Sequence, residues 1–319
     1  MKPVKKPRCP GILRECGEMF GCPEIPWSSQ TGTEEQTTTT AGSLTPLLAL
    51  IDSVAKSPVE YVVGGARLLG NDREIAAQLL AEDSMLLACG SAPALDWWRS
   101  RRAGGPSQTG SKLKSLEAIV SIAFGLPASE KNTDHIQGHI AELFWGRLIE
   151  ERKVCRDGRS LVQAHPVKID ALEPGGDGLV VYKDCDDSLV FRLWEIKKHD
   201  STNNVSATIG RASSQLADRG HQYLAKLVGP ATLSATDPEI ADLYDNMIEL
   251  WYDRSERSGI GVAIGTSDHH APGSHKSFGT LRKRFPEFTK ATQTEGIVVA
   301  IPDFPGFAER VKEIVWSGL

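Results

Sequence analysis

The chain has 319 residues, of which 40% are hydrophobic and 24% are charged, and its formal net charge is −5. This length supports one large domain or two smaller ones, with a core that holds together without disulfides. The acidic balance excludes a strongly basic coat for binding nucleic acid, while a local basic groove stays compatible with it.

Cysteine usage and apolar run length bear on the compartment. The six cysteines form no Cys-x-x-Cys pair, and this spacing favours free thiols over a disulfide scaffold. Cys9, Cys16 and Cys22 lie in a Pro- and Gly-rich segment that offers no paired spacing and no evident fourth ligand for zinc. No apolar run reaches the length of a signal peptide or of a membrane-spanning helix, so we expect a cytoplasmic protein with no membrane contact.

Two segments precede the region with the clearest pattern. Residues 1–42 contain Pro-, Gly- and Thr-rich tracts, a composition typical of a disordered tail. Residues 43–125 carry apolar residues at helical spacing, which predicts a helical N-terminal region. Ser43 is a candidate cap for the first of these helices, and Gly90 is a candidate stop for the second.

Residues 126–319 predict alternating helices and strands. A helix at 134–152 is followed by a strand that starts near 160 and by a hairpin with strands near 178–183 and 189–197. Two helices, a buried strand, a short helix, a second buried strand and a closing helix follow along the chain. This order predicts an α/β fold in which helices flank a mixed central sheet.

Charged residues end the third predicted strand. Side chains alternate along a strand, so Glu195 and Lys197 continue the apolar face on which Leu193 lies. Asp177 opens the partner strand, and antiparallel pairing brings the start of one strand to the end of the other. Two carboxylates and an ammonium group therefore converge, and such a set favours a hard divalent cation with a lysine that orients water or stabilises phosphoryl charge. An ordinary ion pair at the sheet edge is the alternative.

The acid, the hairpin and the Glu-x-Lys sequence together resemble the PD-(D/E)xK phosphodiesterase superfamily of restriction-type and recombination nucleases. Here the motif reads Gly176-Asp177, then the hairpin, then Glu195-Ile196-Lys197, and Gly176 stands where that superfamily has a proline. The resemblance covers about 134–303. It implies a restriction-endonuclease-like core in which Asp177 and Glu195 bind Mg²⁺ or Mn²⁺ and Lys197 positions the attacking water.

The same resemblance implies two more site residues. Members of the superfamily often carry a metal-binding glutamate on the helix before the strands, and Glu142 is the candidate; a solvated helix acid is the alternative. They also often place a polar residue on the helix after the third strand. Gln215 is the candidate there, and a surface amide is the alternative. The Gln-x-x-x-Tyr pattern of one subgroup is incomplete in this chain because position 219 is Arg.

Several basic residues are candidate contacts to nucleic acid. We predict weak phosphate contacts for His139, Lys198 and Arg211. His139 also lies four residues after His135, a metal-ligand spacing, but the zinc-protease pattern requires Glu where the chain has Ile136, so packing is the other use of this pair. A loop further along the chain could bind zinc, although a solvated loop is the simpler interpretation; its histidines are His269, His270 and His275.

Two further patterns leave alternatives open. Residues 94–105 interleave Trp97 and Trp98 with arginines, which indicates either a stacking surface for nucleic acid or a helix with one tryptophan in the core and a basic end. The chain contains no GxxxxGK[ST] sequence, so any translocation motor would have to be a partner.

The sequence thus predicts a metal-dependent nuclease, with DNA more expected than RNA and endonucleolytic cleavage as the reaction. A nuclease core with an added helical region resembles bacterial antiphage effectors. The layout of Gly-Asp-Gly and Glu-x-Lys before a long helix resembles the nuclease subunit of Hachiman-type defence systems, and this resemblance implies a helicase partner. A restriction endonuclease is a comparable expectation. Such nucleases often form homodimers. The alternative is a catalytically inactive nuclease fold that binds nucleic acid or assembles a complex, and the intact Asp177, Glu195 and Lys197 argue against it.

Overall fold

The computed structural model of the chain describes residues 42–319, with gaps at 54–56, 91, 128–132, 169–175 and 202–203. The predicted tail at 1–42, together with the three cysteines that it contains, therefore lies outside the described residues except for Gly42. Gly42–Leu319 forms one compact unit. Of the described cysteines, Cys89 and Cys155 are free thiols.

A seven-stranded sheet lies at the centre, in the order β1-β2-β7-β6-β5-β4-β3. Its four middle strands β2, β7, β6 and β5 are parallel, while β1 pairs antiparallel at one edge and β4 and β3 pair antiparallel at the other. The strands are β1 (Ile51–Asp52), β2 (Glu60–Gly64), β3 (Ser160–Ala164), β4 (Gly178–Lys183), β5 (Leu189–His199), β6 (Ile260–Ser267) and β7 (Thr294–Ile301).

Burial along the strands follows their place in the sheet. Every residue of β6 is buried, as expected for a central parallel strand that helices cover on both faces. The edge strand β3 is half-buried or exposed throughout. The hairpin strands match the sequence prediction, since β4 has the predicted bounds and β5 extends the prediction by two residues to His199. The predicted α/β class with a mixed sheet flanked by helices is therefore confirmed.

Helices cover both faces of the sheet, and each face has its own apolar core. α6, α7 and α8 pack on the face that carries Phe191 and Leu193. The other helices pack on the face that carries Trp194 and Ile196. In chain order the helices are α1 (Leu44–Leu48), α2 (Gly70–Cys89), α3 (Pro93–Arg102), α4 (Gly110–Phe124), α5 (Thr133–Glu151), α6 (Val205–Ser234), α7 (Pro238–Tyr252), α8 (Gly279–Arg284) and α9 (Phe304–Ser317).

The prediction of a purely helical region at 43–125 is wrong in one respect, because β1 and β2 lie within it. The run from Tyr61 to Val63 has strong strand preference, and β2 pairs in parallel with β7 at a point far along the chain, which local patterns cannot reveal. The region also shares its core with the remainder of the unit. For example, Trp98 of α3 donates a hydrogen bond from Nε1 to the carbonyl of Val315 at 2.8 Å. None of the described helices is long and apolar enough to cross a membrane.

Candidate functional site

The hairpin register sets the geometry of the site. Gly178 pairs with Trp194. Because the strands are antiparallel, Asp177, the residue before Gly178, lies opposite Glu195, the residue after Trp194. Asp177 is fixed there by the backbone of the neighbouring strand, because its Oδ2 accepts a hydrogen bond from the N–H of Ile196 at 2.8 Å. Residues directly opposite in an antiparallel pair project to the same face. The two carboxylates are therefore brought together by rigid backbone.

Lys197 joins the two acids. Its Nζ lies 2.6 Å from Glu195 Oε1 and 3.3 Å from Asp177 Oδ2. The Glu195 side chain is 2% exposed, whereas that of Lys197 is 32% exposed, so the ammonium group lies at the opening and the glutamate beneath it. The structure thus brings together Asp177, Glu195 and Lys197.

Two glycines explain how Asp177 is held so close to its neighbours. A Cβ atom at Gly176 would lie 2.9 Å from Cβ of Tyr223 on α6, and one at Gly178 would overlap the indole ring of Trp145 on α5. Only glycine lets the chain pass between these two helices without displacing them. This close approach also accounts for glycine at the position where the resemblance would place proline.

Glu142 brings a third carboxylate from α5. It is buried, and among the described residues its Oε2 has no hydrogen-bond partner. Burial raises its pKa well above the usual range, and the negative charge of Asp177 raises it further, while Lys197 and Lys168 oppose the shift. A shift caused by Asp177 requires the two groups to be close in space. We call Glu142, Asp177 and Glu195, with Lys197, the acidic cluster.

The pKa values of Glu195 and Lys197, the two residues that β5 contributes to the acidic cluster, are both raised. Burial, and then Asp177, raise the pKa of Glu195 to about 7, although Lys197 opposes the shift. Burial disfavours the charged form of Lys197, but Asp177 and Glu195 outweigh it and raise the pKa of the ammonium group. Lys197 therefore contacts two of the three carboxylates, and the Oε2 atoms of Glu142 and Glu195 have no hydrogen-bond partner among the described residues.

The donor chemistry of the acidic cluster fits a divalent metal ion. Buried carboxylate oxygens without partners are the ligands that Mg²⁺ and Mn²⁺ accept, and each such oxygen is costly to bury alone. Across the described residues, no three His, Cys, Asp or Glu side chains already stand in a metal-binding arrangement. At this site Lys197 Nζ contacts both Asp177 and Glu195.

A solvent-filled cleft of about 670 Å³ opens beside Lys197, between α6 and α8. Gln215 lines this cleft, so the structure places it near the acidic cluster. Arg211 lines it too and donates from Nη2 to Thr208 Oγ1 at 2.8 Å. The remaining lining residues are Ala207, Gly210, Ser214, Thr280 and Arg284.

Two of the predicted nucleic-acid contacts are engaged elsewhere. His139 is 1% exposed, its Nε2 lies 3.0 Å from Ser84 Oγ, and its ring packs edge-on against Phe124, so the prediction of a phosphate contact is wrong for this residue. Burial lowers its pKa to about 4, which keeps the ring neutral. α5 is buried on most of its circumference, and for that reason polar side chains on this helix, such as His139, do not indicate an exposed surface. Lys198 forms ion pairs with Asp134 and Asp200.

The competing constellations have structural roles. Trp98 is a core residue, and Arg102 lies over its ring, while Lys112 lies over the ring of Trp97. His269 and His270 stack with ring centroids 4.0 Å apart, and His270 meets His199 edge-on at 4.9 Å. The histidines of this loop, which include His275, form no metal-binding group with other described residues.

Sequence reasoning missed four residues near the site. Tyr223 packs against Gly176, and burial followed by the charge of Glu195 raises its pKa, while Arg219 hydrogen-bonds to it. The spacing of Arg219 and Tyr223 could have identified them, because Gln215, Arg219 and Tyr223 are four residues apart and so lie on one side of α6. Lys168 and Arg284 had no such signal, because only tertiary packing brings them to the site.

No protein-family model, curated protein or solved structure matches this chain.

Proposed function

We propose that the chain is a metal-dependent nuclease with a restriction-endonuclease-like core. The observation that carries the proposal is the acidic cluster, in which Lys197 contacts Asp177 and Glu195, and in which one buried oxygen of Glu142 and one of Glu195 have no hydrogen-bond partner among the described residues. The order of elements supports it, because α5, β3, β4, β5, α6 and β6 follow the helix, three strands, helix, strand order that the resemblance implies, with α7 as an added helix before β6.

Asp177, Glu195 and Glu142 would hold Mg²⁺ or Mn²⁺ in this proposal. When bound, the ion would lower the pKa of a water molecule and neutralise charge on the scissile phosphate. Both glutamates must lose their protons to act as ligands, and burial beside Asp177 makes that loss harder. We therefore expect metal binding, and with it cleavage, to increase as the pH rises through about 7.

Lys197 would act as a donor. Its raised pKa keeps the ammonium group protonated at neutral pH, so Lys197 serves as a hydrogen-bond donor to water or to a phosphoryl oxygen and not as a general base. The attacking water releases one proton to solvent as its oxygen bonds to phosphorus, the bond from phosphorus to the leaving oxygen breaks, and the leaving oxygen takes up a proton from solvent. The ammonium group of Lys197 has three N–H donors, so its contacts with Asp177 and Glu195 leave one donor for water or a phosphoryl oxygen.

The test is cleavage of supercoiled plasmid, single-stranded DNA and RNA with Mg²⁺, Mn²⁺ or EDTA. The variants are Lys197→Ala and, as a matched control, Lys183→Ala, which removes a lysine at the other end of the hairpin where it pairs with Asp187. We expect metal-dependent cutting that falls by about 10² to 10⁴ in Lys197→Ala and is unchanged in Lys183→Ala. Full activity of Lys197→Ala would refute the proposal.

A nuclease-fold module without catalysis is the second candidate. The placement of Lys197 Nζ between Asp177 and Glu195 favours it, because an ion pair of this kind stabilises the two strands without any metal. Cutting by the wild-type chain would exclude this candidate. DNA as the substrate, a role in antiphage defence and a helicase partner remain proposals that rest on the resemblance.

A further inference from the structure

The cleft between α6 and α8 has a lining of unusual composition. Arg211 and Arg284 line its two walls, and Lys197 lies at its inner end. Among the described residues that line it, none has an aromatic or acidic side chain. The remainder of the lining is either small or carries a hydroxyl or amide group, such as Ser214, Thr280 and Gln215.

The two arginines of this cleft are available to a ligand. Arg284 is exposed and forms no ion pair with any described residue. Arg211 is also exposed, and among the described residues it donates to the neutral hydroxyl of Thr208 alone. Other basic residues nearby differ in this respect. Arg282, two positions before Arg284 on α8, donates to the backbone carbonyl of Phe288 and so holds the turn that follows the helix.

Small residues keep the floor of the cleft open. Gly210 faces Thr280 across the cleft, and even a Cβ atom at Gly210 would stay 3.6 Å from the threonine methyl group. Ser214 turns its hydroxyl back onto the carbonyl of Gly210 at 3.0 Å. A chain of phosphates could therefore approach the backbone of α6 closely and continue to Lys197.

We propose that this cleft binds the phosphate backbone of a nucleic-acid duplex, with Arg211 and Arg284 as its phosphate contacts. The proposal rests on the nuclease function above and names the substrate class of the same site. Proteins that hold single strands stack bases on aromatic rings, and the cleft lining has none. Affinity that comes from cations alone depends on release of counterions, which is greater for a duplex than for a single strand. Base sequence should therefore matter little.

The experiment is a binding titration in EDTA, in which no cleavage is needed. Fluorescence anisotropy of a labelled duplex and of its single strand is measured against salt concentration for the wild type, Arg211→Ala and Arg284→Ala. Lys283→Ala is the matched control, since it removes the charge next to Arg284 on the same helix but outside the cleft lining. We expect each arginine variant to weaken duplex binding roughly ten-fold at 50 mM salt and to reduce the salt slope by about one. Lys283→Ala should retain the wild-type slope.

A second variant guards against a folding artefact. Thr280→Glu adds a negative charge to the cleft within the first turn of α8, where an acidic residue favours the helix. We expect it to melt no lower than the wild type and to bind the duplex at least as weakly as Arg284→Ala. Arg284→Lys should retain most of the salt slope, because it keeps the charge.

The outcomes separate this inference from the nuclease function. Equal slopes in Arg284→Ala and Lys283→Ala, or tighter binding of the single strand, would overturn the cleft assignment even if the chain cuts DNA. Absence of wild-type binding would overturn it too. Duplex binding that both arginine variants lose would support the cleft, and if the wild type then failed to cut with Mn²⁺, only the nuclease function would be wrong.

Discussion

Two clusters of buried charge lie along β5, one around Glu195 and the other around Arg192, and they differ in how their charges are balanced. Around Glu195, the acidic cluster has two carboxylate oxygens without a hydrogen-bond partner among the described residues. Arg192 and the neighbouring Arg159 are buried among acids and carbonyl groups, a set that we call the arginine cluster. Burial alone is therefore not what distinguishes the two clusters.

The arginine cluster is held by direct contacts. Arg159 lies 2.5 Å from Asp157 through Nε and 2.7 Å from Glu295 through Nη2, although its Nη1 has no hydrogen-bond partner. Burial disfavours the charge of Arg159, but Glu295 and Asp157 outweigh it and raise its pKa. Arg192 donates to the carbonyl groups of Thr292 at 2.8 Å and Phe191 at 2.7 Å. These contacts tie the starts of β5 and β7 together, which is a structural role.

The comparison shows which feature of buried charge indicates a binding site. In the arginine cluster, Arg159 and Arg192 contact the carboxylates of Asp157 and Glu295, and removing one of these partners should cost stability. In the acidic cluster, burial and then the charge of Asp177 raise the pKa values of Glu142 and Glu195, although Lys197 opposes both shifts. Buried carboxylates with raised pKa values destabilise the fold when charged unless a cation is bound, so it is this cluster that indicates a ligand.

The largest expected effect on stability is in the arginine cluster. Glu295→Gln keeps the side-chain volume but leaves Arg159 and Arg192 buried with less compensation. We expect a loss of about 3–5 kcal/mol in the free energy of unfolding, measured by urea denaturation. Glu256→Gln is the matched control, because it makes the same change in an exposed pair with Lys290 at 2.8 Å, where we expect less than about 1 kcal/mol. Equal losses in the two variants would contradict the structural role of this cluster.

A smaller effect of opposite sign is expected in the acidic cluster. The pKa of Glu142 is raised in the folded chain, so below the usual carboxyl pKa both states are protonated and the residue carries no penalty. As the pH rises through the folded pKa, the wild type loses stability, whereas Glu142→Gln does not. In EDTA we expect the variant to match the wild type near pH 4 and to exceed it by about 1–3 kcal/mol at pH 8.

Thermal or urea unfolding across this pH range provides the check. Parallel stability curves for the wild type and Glu142→Gln would show that the glutamate carries no buried charge. Addition of Mn²⁺ should reverse the order at pH 8, because an ion that binds only the folded wild type stabilises it by mass action.

The sequence predicts the part of the site that depends on neighbouring segments of the chain. The hairpin sets the register, so the proximity of Asp177, Glu195 and Lys197 follows from strand pairing alone. The sequence did not predict β2, because its partner strand β7 lies more than two hundred residues further along the chain. The sequence placed His139 and Glu142 on the predicted helix at 134–152, but it could not reveal that both are buried, because long-range packing covers nearly the whole helix. Arg284 joins the cleft only through the packing of α8 on α6.

The most direct test of the central claim is calorimetric titration with Mn²⁺, without nucleic acid, for the wild type, Asp177→Asn and the control Glu256→Gln. The account predicts that the wild type and the control bind Mn²⁺ alike, that Asp177→Asn weakens binding by at least roughly ten-fold, and that wild-type affinity increases as the pH rises through about 7, where Glu195 loses its proton. Absence of Mn²⁺ binding in the wild type, or equal binding by Asp177→Asn, would contradict it.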